Sequence, residues 1–414
     1  MTIVHLLTAF TLLLLLAVLA TPLTRLVHLP LGAVLVLVGF AGSEIIVRLG
    51  FDTGLRWQNF HDLILVVLIP VLVFASALQI DVDGLRRYWR STLALSMPLL
   101  LVGTLLCGAL LFVLMGHPTG FPWVAAMIAA AIFVATDPLA VSEILVRRNV
   151  APPVATLVEG EGMFGDAMAI ALYMTITDFA LSGSQAGGSA PAMLTMSIAL
   201  AFAWAVLVGA ASGVASAWIL GRTLWRRSAG VERGMLSLVY MYGLYLLNEQ
   251  VLKSSGVVAL LAAGLILGRH YSRRQSEQHS DFTLMLWRFF SRIAYLILFL
   301  LVGATITLSM FEQRWLAMLI AIAAVLCARI PVVFGWLPAQ NRVLHDKTLN
   351  FQQLSVVYFG GVRGAVTLAL ALSLPTELPY WWTIQAMAYG VVLFSLFVQA
   401  PIVELLVRKY GERL

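Results

Sequence analysis

Charge is scarce in this sequence. Asp, Glu, Lys and Arg together make up 11% of its 414 residues, whereas hydrophobic residues make up 61%. A water-soluble protein carries about 25% charged residues, so an ordinary soluble enzyme or binding domain is excluded. Apolar runs of bilayer length recur along the whole chain. They predict an all-α, polytopic membrane protein.

Cysteines and long polar stretches are also rare. The two cysteines, Cys107 and Cys327, both lie inside apolar runs, so a disulfide framework is not expected. The longest polar stretch, residues 269–281, is far too short to bury the core of a soluble domain. We therefore expect a single membrane domain with no soluble domain.

The apolar runs, bounded by charges, proline and glycine, predict about thirteen transmembrane helices. The predicted spans are 4–23, 30–48, 60–79, 92–115, 122–147, 153–181, 192–220, 234–251, 255–268, 284–309, 314–337, 350–374 and 380–407. An odd number of spans puts the two termini on opposite sides of the membrane. With the C-terminus inside, eighteen Lys and Arg residues fall on inner segments and four on outer segments, in agreement with the positive-inside rule.

We expect a protein of a bacterial-type inner (plasma) membrane, and the charge distribution predicts that its N-terminus lies outside and its C-terminus in the cytoplasm. It also accounts for the net charge of +6 without a nucleic-acid partner.

Six charged side chains remain deep within the apolar sequence. They are Asp137, Glu159, Glu161, Asp166, Arg329 and Arg363. Charged residues at bilayer depth face the protein interior and pair with one another or mark ion and proton paths. Because the acids lie in the fifth and sixth spans and the bases in the eleventh and twelfth, we expect two halves of the chain to pack face to face.

The sixth span carries three carboxylates in "LVEGEGMFGDAMAI". Glu159 and Asp166 are seven residues apart and lie within about 20° of each other on a helix, whereas Glu161 points roughly 140° away from Asp166. Glu161 is therefore predicted to pair with Arg329, and Asp166 to lie on the ion or proton path. The alternative is that all three acids are buried, paired scaffolding.

The fifth span contains a predicted helix break in "ATDPLAV". Pro138 has no amide hydrogen to donate and disfavours helical geometry at Asp137. Carbonyl groups freed around Thr136, together with the Asp137 carboxylate, form a potential cation site where the backbone lines a cavity. The alternative is a proline kink in which Asp137 caps the following half-helix, and the two roles are compatible.

The twelfth span contains the counterpart, "YFGGVRGAVTLAL". Gly360, Gly361 and Gly364 surround Arg363 and loosen the helix where another backbone could approach closely. A cluster of glycines can also be a packing face for another helix. Interrupted helices at matching positions in the two halves instead favour an inverted-repeat secondary transporter with a site at the bilayer midplane.

Together these motifs resemble the monovalent cation/proton antiporters, in particular the NhaP-like and sodium/proton exchanger branch. The resemblance covers essentially the whole chain. It rests, in the family's order, on "ATDPLAV" (135–141), "EGMFGDAMAI" (161–170), "CARIPVV" (327–333) and "GGVRGAVTLALAL" (360–372).

The resemblance implies a homodimer that needs no cofactor and exchanges a monovalent cation for a proton. Residues 1–91 and 183–313 would form scaffold and linker helices, and residues 92–182 and 314–414 the two repeats of an ion-transporting core.

The resemblance also implies roles for single residues. Asp166 would be the main ion- and proton-binding carboxylate, and Asp137 with the backbone of Thr136 would complete the site. Glu161 and Arg329 would form a structural salt bridge, and Arg363 would stand where the broken helices cross.

The chain departs from the family pattern at several positions. Gly162 and Gly165 replace a serine and an asparagine of the pattern, and Ala75 stands where many relatives carry glutamate. Glu159 is an extra acid on the Asp166 face. Either Glu159 or added water replaces the lost ligands, or the preferred ion differs from sodium, with potassium as the alternative.

Lysine is absent from every proposed span, since the three lysines are Lys253, Lys347 and Lys409. Electrogenic relatives commonly pair the core aspartate with a lysine in the membrane, so electroneutral exchange is expected. A proton and a cation compete for the Asp166 carboxylate, and alternating access then couples their movements.

Two other classes of function fit part of the pattern. An intramembrane aspartyl protease would use Asp137 and Asp166, but the order Gly162-Met-Phe-Gly165-Asp166 lacks the Gly-x-Gly-Asp spacing. A passive cation channel would conduct ions without coupling them to protons.

Overall fold

The structure is a computed structural model of the chain. It describes residues 11, 15, 16, 18, 19, 31–48, 63–80, 82–116, 120–137, 141, 144, 145, 152–181, 191–228, 230–272, 282–343 and 349–410. Within these ranges every regular element is helical, which confirms the predicted all-α class. The predicted first span, 4–23, lies largely outside the described residues, and so does Pro138.

The described part of the chain forms fourteen α-helices of eight or more residues, numbered here in chain order. They are α1 (Leu31–Arg48), α2 (Ile69–Gln79), α3 (Val82–Leu114), α4 (Trp123–Val134), α5 (Pro152–Leu181), α6 (Pro191–Arg222), α7 (Gly230–Leu246), α8 (Gly256–Ser272), α9 (Phe282–Thr305), α10 (Leu308–Ile330), α11 (Phe351–Gly360), α12 (Ala365–Leu372), α13 (Trp381–Phe394) and α14 (Ala400–Tyr410). Wider, π-helical turns at Leu63–Leu68, Leu247–Leu252, Pro331–Trp336 and Ser395–Gln399 adjoin α2, α7, α10 and α13.

Seven helical stretches in the described ranges are long and apolar enough to cross a membrane. They coincide with the predicted spans four, six, seven and ten to thirteen, and four shorter apolar helices coincide with spans two, three, five and nine. The described helices therefore support a polytopic membrane protein, whereas the count of thirteen and the inverted repeat stay predictions.

One group of helices packs through glycines. A Cβ at Gly39 of α1 would overlap the carbonyl of Leu300 in α9, and a Cβ at Gly213 of α6 would overlap the carbonyl of Ala259 in α8. Gly264 of α8 packs against α2 in the same way. Small residues let helix backbones approach closely in a membrane, where dispersion rather than water drives association. We call α1, α2, α6, α8 and α9 the scaffold group.

The second group contains the broken helices. In it α3 packs on α4, α5 and α10, and α13 packs on α10 and α12. Its interior is apolar, with fully buried residues such as Phe133 in α4 and Tyr389 in α13. We call α3, α4, α5, α10, α11, α12 and α13 the core group. The two groups meet where α5 contacts α2 and α8 and where α12 contacts α9.

Both predicted interruptions occur in the core group. The helix α4 ends at Val134, and Ala135 takes an extended conformation with ψ 132°. Residues 361–364 are not helical and separate α11 from α12. The two interruptions touch, because the Asp137 N–H donates a hydrogen bond to the Val362 carbonyl at 2.6 Å. The crossing therefore joins two stretches more than 200 residues apart through their backbones.

Candidate ion-binding site

The Asp137 carboxylate lies at the N-terminus of the half-helix α12. Its Oδ2 accepts a hydrogen bond from the Ala365 N–H at 3.3 Å, and the residue is 5% exposed. A negative charge is stabilised there by the unpaired N–H groups of the first turn and by the helix dipole. Gly364 makes the approach possible, because a Cβ at that position would overlap Asp137 Oδ2.

Arg363 interacts with the C-terminal ends of helices, which carry the opposite partial charge to the N-terminus bound by Asp137. Its Nε donates to the Phe133 carbonyl in the last turn of α4 at 3.0 Å, and its Nη1 donates to the Gly361 carbonyl just beyond α11. The last carbonyls of a helix carry its negative dipole end. The buried Arg363 guanidinium therefore stabilises the C-terminal ends of α4 and α11. The Asp137 carboxylate stabilises the N-terminal end of α12.

A side-chain bond further fixes the crossing. The Thr367 hydroxyl, in α12, donates to the Ala135 carbonyl at 3.1 Å. Together with the Asp137–Val362 bond, it satisfies backbone groups that the interrupted helices leave unpaired, as polar groups at membrane depth require.

A cavity of about 40 Å³ lies where the core group meets the scaffold group. Roughly 10–15 Å³ of such space holds one water molecule, so the cavity has room for an alkali ion with one or two waters. Its lining consists of Leu72, Val73 and Ser76 from α2, Met163 and Asp166 from α5, Tyr295 from α9, Ala365 and Val366 from α12, and Asp137.

Asp166 is the carboxylate on the core side of this cavity. The residue is half-buried, but its Oδ1 is shielded from solvent and has no hydrogen-bond partner in the described part of the chain. The backbone of Thr136 and the carboxylates of Asp137 and Glu161 lie close enough to influence it. A shielded carboxylate oxygen is costly unless it binds a hydrogen-bond donor, a proton or a cation.

Glu161 and Arg329 form a bidentate ion pair, with Nη1–Oε1 at 2.6 Å and Nη2–Oε2 at 2.7 Å. Arg329 also donates to the carbonyls of Tyr358 and Val357, at 3.0 and 2.9 Å. The two side chains are 4% and 1% exposed. The pair therefore fastens α5, α10 and α11 together, in the geometry in which a buried pair best offsets its desolvation.

The remaining sequence-predicted positions lie as follows. Glu159 is half-buried two turns before Asp166, and the described residues that line the cavity do not include it. A Cβ at Gly165 would meet the Thr136 hydroxyl at an ordinary 3.8 Å, so the site has space there. Gly360 packs at α5, where a Cβ would contact Val158.

Sequence reasoning missed two polar residues of the cavity lining, Ser76 and Tyr295. It singled out Ala75, which is fully buried and is not among the described residues that line the cavity, whereas the next residue, Ser76, lines it together with Asp166. Ser76 is the one hydroxyl in the run "VLVFASALQ", and that polar residue was the available signal. Tyr295, in "AYLILFL", resembles the other interfacial aromatics of a membrane protein and gave no distinguishing signal.

Crossed, interrupted helices are a feature of secondary transporters, in which they form the substrate and ion site. Residues 10–409 match the family model described as "Sodium/hydrogen exchanger, transmembrane". This match spans nearly the whole chain, so the chain belongs to the sodium/hydrogen exchanger family. The family contains transporters, and the protease alternative is therefore wrong.

Named relatives agree with this family. The chain is 30% identical to the Na(+)/H(+) antiporter NhaP of Pseudomonas aeruginosa over 86% of its own length and 82% of the relative's. It is 29% identical to the low-affinity Na(+)/H(+) antiporter NhaS1 of Synechocystis over 90% and 68%. The solved structure of the sodium proton antiporter MjNhaP1 from Methanocaldococcus jannaschii has the same fold, with a TM-score of 0.79, 19% identity and coverage of 97% and 98%.

Proposed function

We propose that this protein exchanges a monovalent cation, most readily Na⁺, for H⁺, and that Asp166 binds the two in turn. The observation that carries the proposal is the shielded Asp166 Oδ1 at the cavity beside the crossing, which has no hydrogen-bond partner among the described residues. Membership of the sodium/hydrogen exchanger family and the names of the relatives support sodium as the cation.

Coupling follows from competition at one group. A carboxylate can hold a proton or an alkali cation, but not both, and each neutralises it. The neutralised form crosses the low-dielectric interior far more cheaply than the bare anion. If Asp166 moves between the two sides only when neutralised, each cation that crosses in one direction is matched by a proton in the other.

Electroneutral exchange follows from the other charges. Asp137 and Arg363 are engaged with helix ends, and Glu161 is paired with Arg329. Because these groups have partners within the protein, we assign the change of occupancy to Asp166. Because Na⁺ and H⁺ carry the same charge, the loaded site has the same charge in both directions of the cycle.

The cycle also needs movement and an assembly. In our proposal the core group moves against the scaffold group, the chain forms a homodimer through scaffold helices, and its C-terminus is cytoplasmic. The glycine-mediated packing within the scaffold group supports its rigidity, because the backbones of its helices are in direct contact.

The proposal is tested with purified protein in vesicles. Proton flux is measured after an imposed Na⁺ or K⁺ gradient, with the membrane potential clamped first at zero and then at about 100 mV. That potential acts on one net charge with about 2.3 kcal/mol, so an electroneutral exchanger keeps its rate and an electrogenic one does not. A passive channel would carry cation current without proton flux.

Asp166→Asn should reduce proton flux to that of empty vesicles, because an amide does not titrate. Asp178→Asn makes the same chemical change on the exposed end of the same helix and should leave exchange near the wild-type rate. Wild-type exchange by Asp166→Asn would contradict the assignment of the site.

A further inference from the structure

We propose that Ser76 supplies a further oxygen ligand to the transported cation, and that it does so from the scaffold group. The inference rests on the exchange function proposed above. It extends the site across the boundary between the two helix groups, since Ser76 belongs to α2 whereas Asp137 and Asp166 belong to the core group.

The orientation of Ser76 suits a ligand. Its Oγ donates a hydrogen bond to the Leu72 carbonyl one turn earlier, at 2.8 Å. A hydroxyl that uses its hydrogen within its own helix keeps oxygen lone pairs for other partners. Ser76 lines the same cavity as Asp137 and Asp166, so those lone pairs are available beside two carboxylates, and oxygen is the ligand that hard cations prefer.

Ser76 is the polar side chain that α2 contributes to the described cavity lining. Leu72 and Val73, which share its face, are apolar. Ala75 and Ala77 are fully buried, and Ala77 packs against Gly264 of α8. Among the described residues of the cavity lining, Ser76 is therefore the oxygen-bearing side chain from α2. It offers a replacement for oxygens missing at Gly162 and Gly165.

A cation ligand on the scaffold group differs from one on the core group, because in our proposal only the core group moves. When the core group moves, Asp166 and Asp137 travel together and Ser76 stays behind. The cation then keeps the Ser76 oxygen in the present conformation and loses it in the alternative one. A ligand favours the conformation in which it makes more contacts, so the cation should bind with different affinities from the two sides of the membrane.

The test measures the apparent KM for Na⁺ separately on each face, using wild-type and variant protein inserted in a single orientation. Ser76→Ala should raise KM about tenfold on one face, since bonds to charged groups are worth about that factor, and leave the other face unchanged. Ser76→Cys keeps the size but replaces the oxygen with sulfur and should behave as Ser76→Ala does. Ser76→Thr restores a hydroxyl and should lie near wild type.

Ser96→Ala is the matched control, because the Ser96 hydroxyl makes the same one-turn bond, to Thr92 at 2.8 Å, in α3. Its KM should be unchanged on both faces. Equal KM values for Ser76→Ala and Ser96→Ala, or an equal rise on both faces, would overturn the role of Ser76. Those results leave the proposed exchange intact if Asp166→Asn is inactive, whereas an active Asp166→Asn would contradict the exchange site itself.

Discussion

Two glutamates of one helix, Glu159 and Glu161, differ in their surroundings. Glu161 is buried in a bidentate pair with Arg329, whereas Glu159 is half-buried and outside the cavity lining of the described residues. Breaking a buried ion pair leaves a charge without its partner, which costs about 3–5 kcal/mol. The same carboxylate-to-amide change should therefore have different effects at the two positions.

Glu161→Gln should lower the unfolding temperature in detergent sharply and reduce exchange, because Arg329 keeps its charge in an apolar interior. Glu159→Gln should cost less stability. The same preparations give the apparent Na⁺ affinity. An unchanged affinity in Glu159→Gln would exclude Glu159 as the substitute ligand, and the cavity lining favours that result. Equal destabilisation by the two changes would contradict the structural role of the Glu161–Arg329 pair.

At the scale of elements, the half-helix α12 is constrained by a close approach at its N-terminus. Gly364, at its N-terminal cap, leaves room for the Asp137 carboxylate. Gly364→Ala should cost about 1–3 kcal/mol of stability by overpacking and should reduce exchange strongly, because Asp137 must shift away from the Ala365 N–H. Unfolding and vesicle exchange measure the two effects.

Gly243→Ala is the control for this change. Gly243 lies within α7, and a Cβ there would meet no atom of the described residues within 4 Å. This variant should fold and exchange as the wild type does, or be slightly more stable, since alanine is the better helix former. A harmless Gly364→Ala would contradict the close packing of the crossing.

The sequence predicted these elements unevenly. The helix break around Asp137 and the glycines around Arg363 were readable, because proline, glycine and buried charge have strong local effects. The start of the break at Ala135, one residue before Thr136, and the bond between Asp137 and Val362 were not. They depend on two stretches meeting in space, and no spacing along the chain encodes that contact.

The missing information about contacts in space also explains why the sequence did not identify Ser76 as a residue of the cavity. The sequence drew attention to Ala75 because a family pattern has an acid there, but its neighbour Ser76 is the residue that lines the cavity together with Asp166. One residue along a helix changes the direction of a side chain by about 100°. Which of the two residues lines the cavity depends on how α2 packs on its neighbours, for example Ala77 on Gly264, and pattern alone does not give such a contact between helices.

For the molecule as a whole, the proposed mechanism combines a scaffold group packed through glycines with a core group whose other buried charges have partners within the protein. The crossing, the Glu161–Arg329 pair and the cavity all belong to the core group or border it. In this account the two groups of helices have different roles. The scaffold group holds its place and contributes Ser76, and the core group carries Asp166 between the two sides.

The most direct test of this account is proton release when sodium binds to the purified protein in detergent, without any membrane gradient. In weakly buffered solution, at a pH where Asp166 is protonated, Na⁺ should displace about one proton for each ion bound, and Asp166→Asn should release none. Sodium binding without proton release in the wild type, or equal release from Asp166→Asn, would contradict competition between the two ions at this carboxylate.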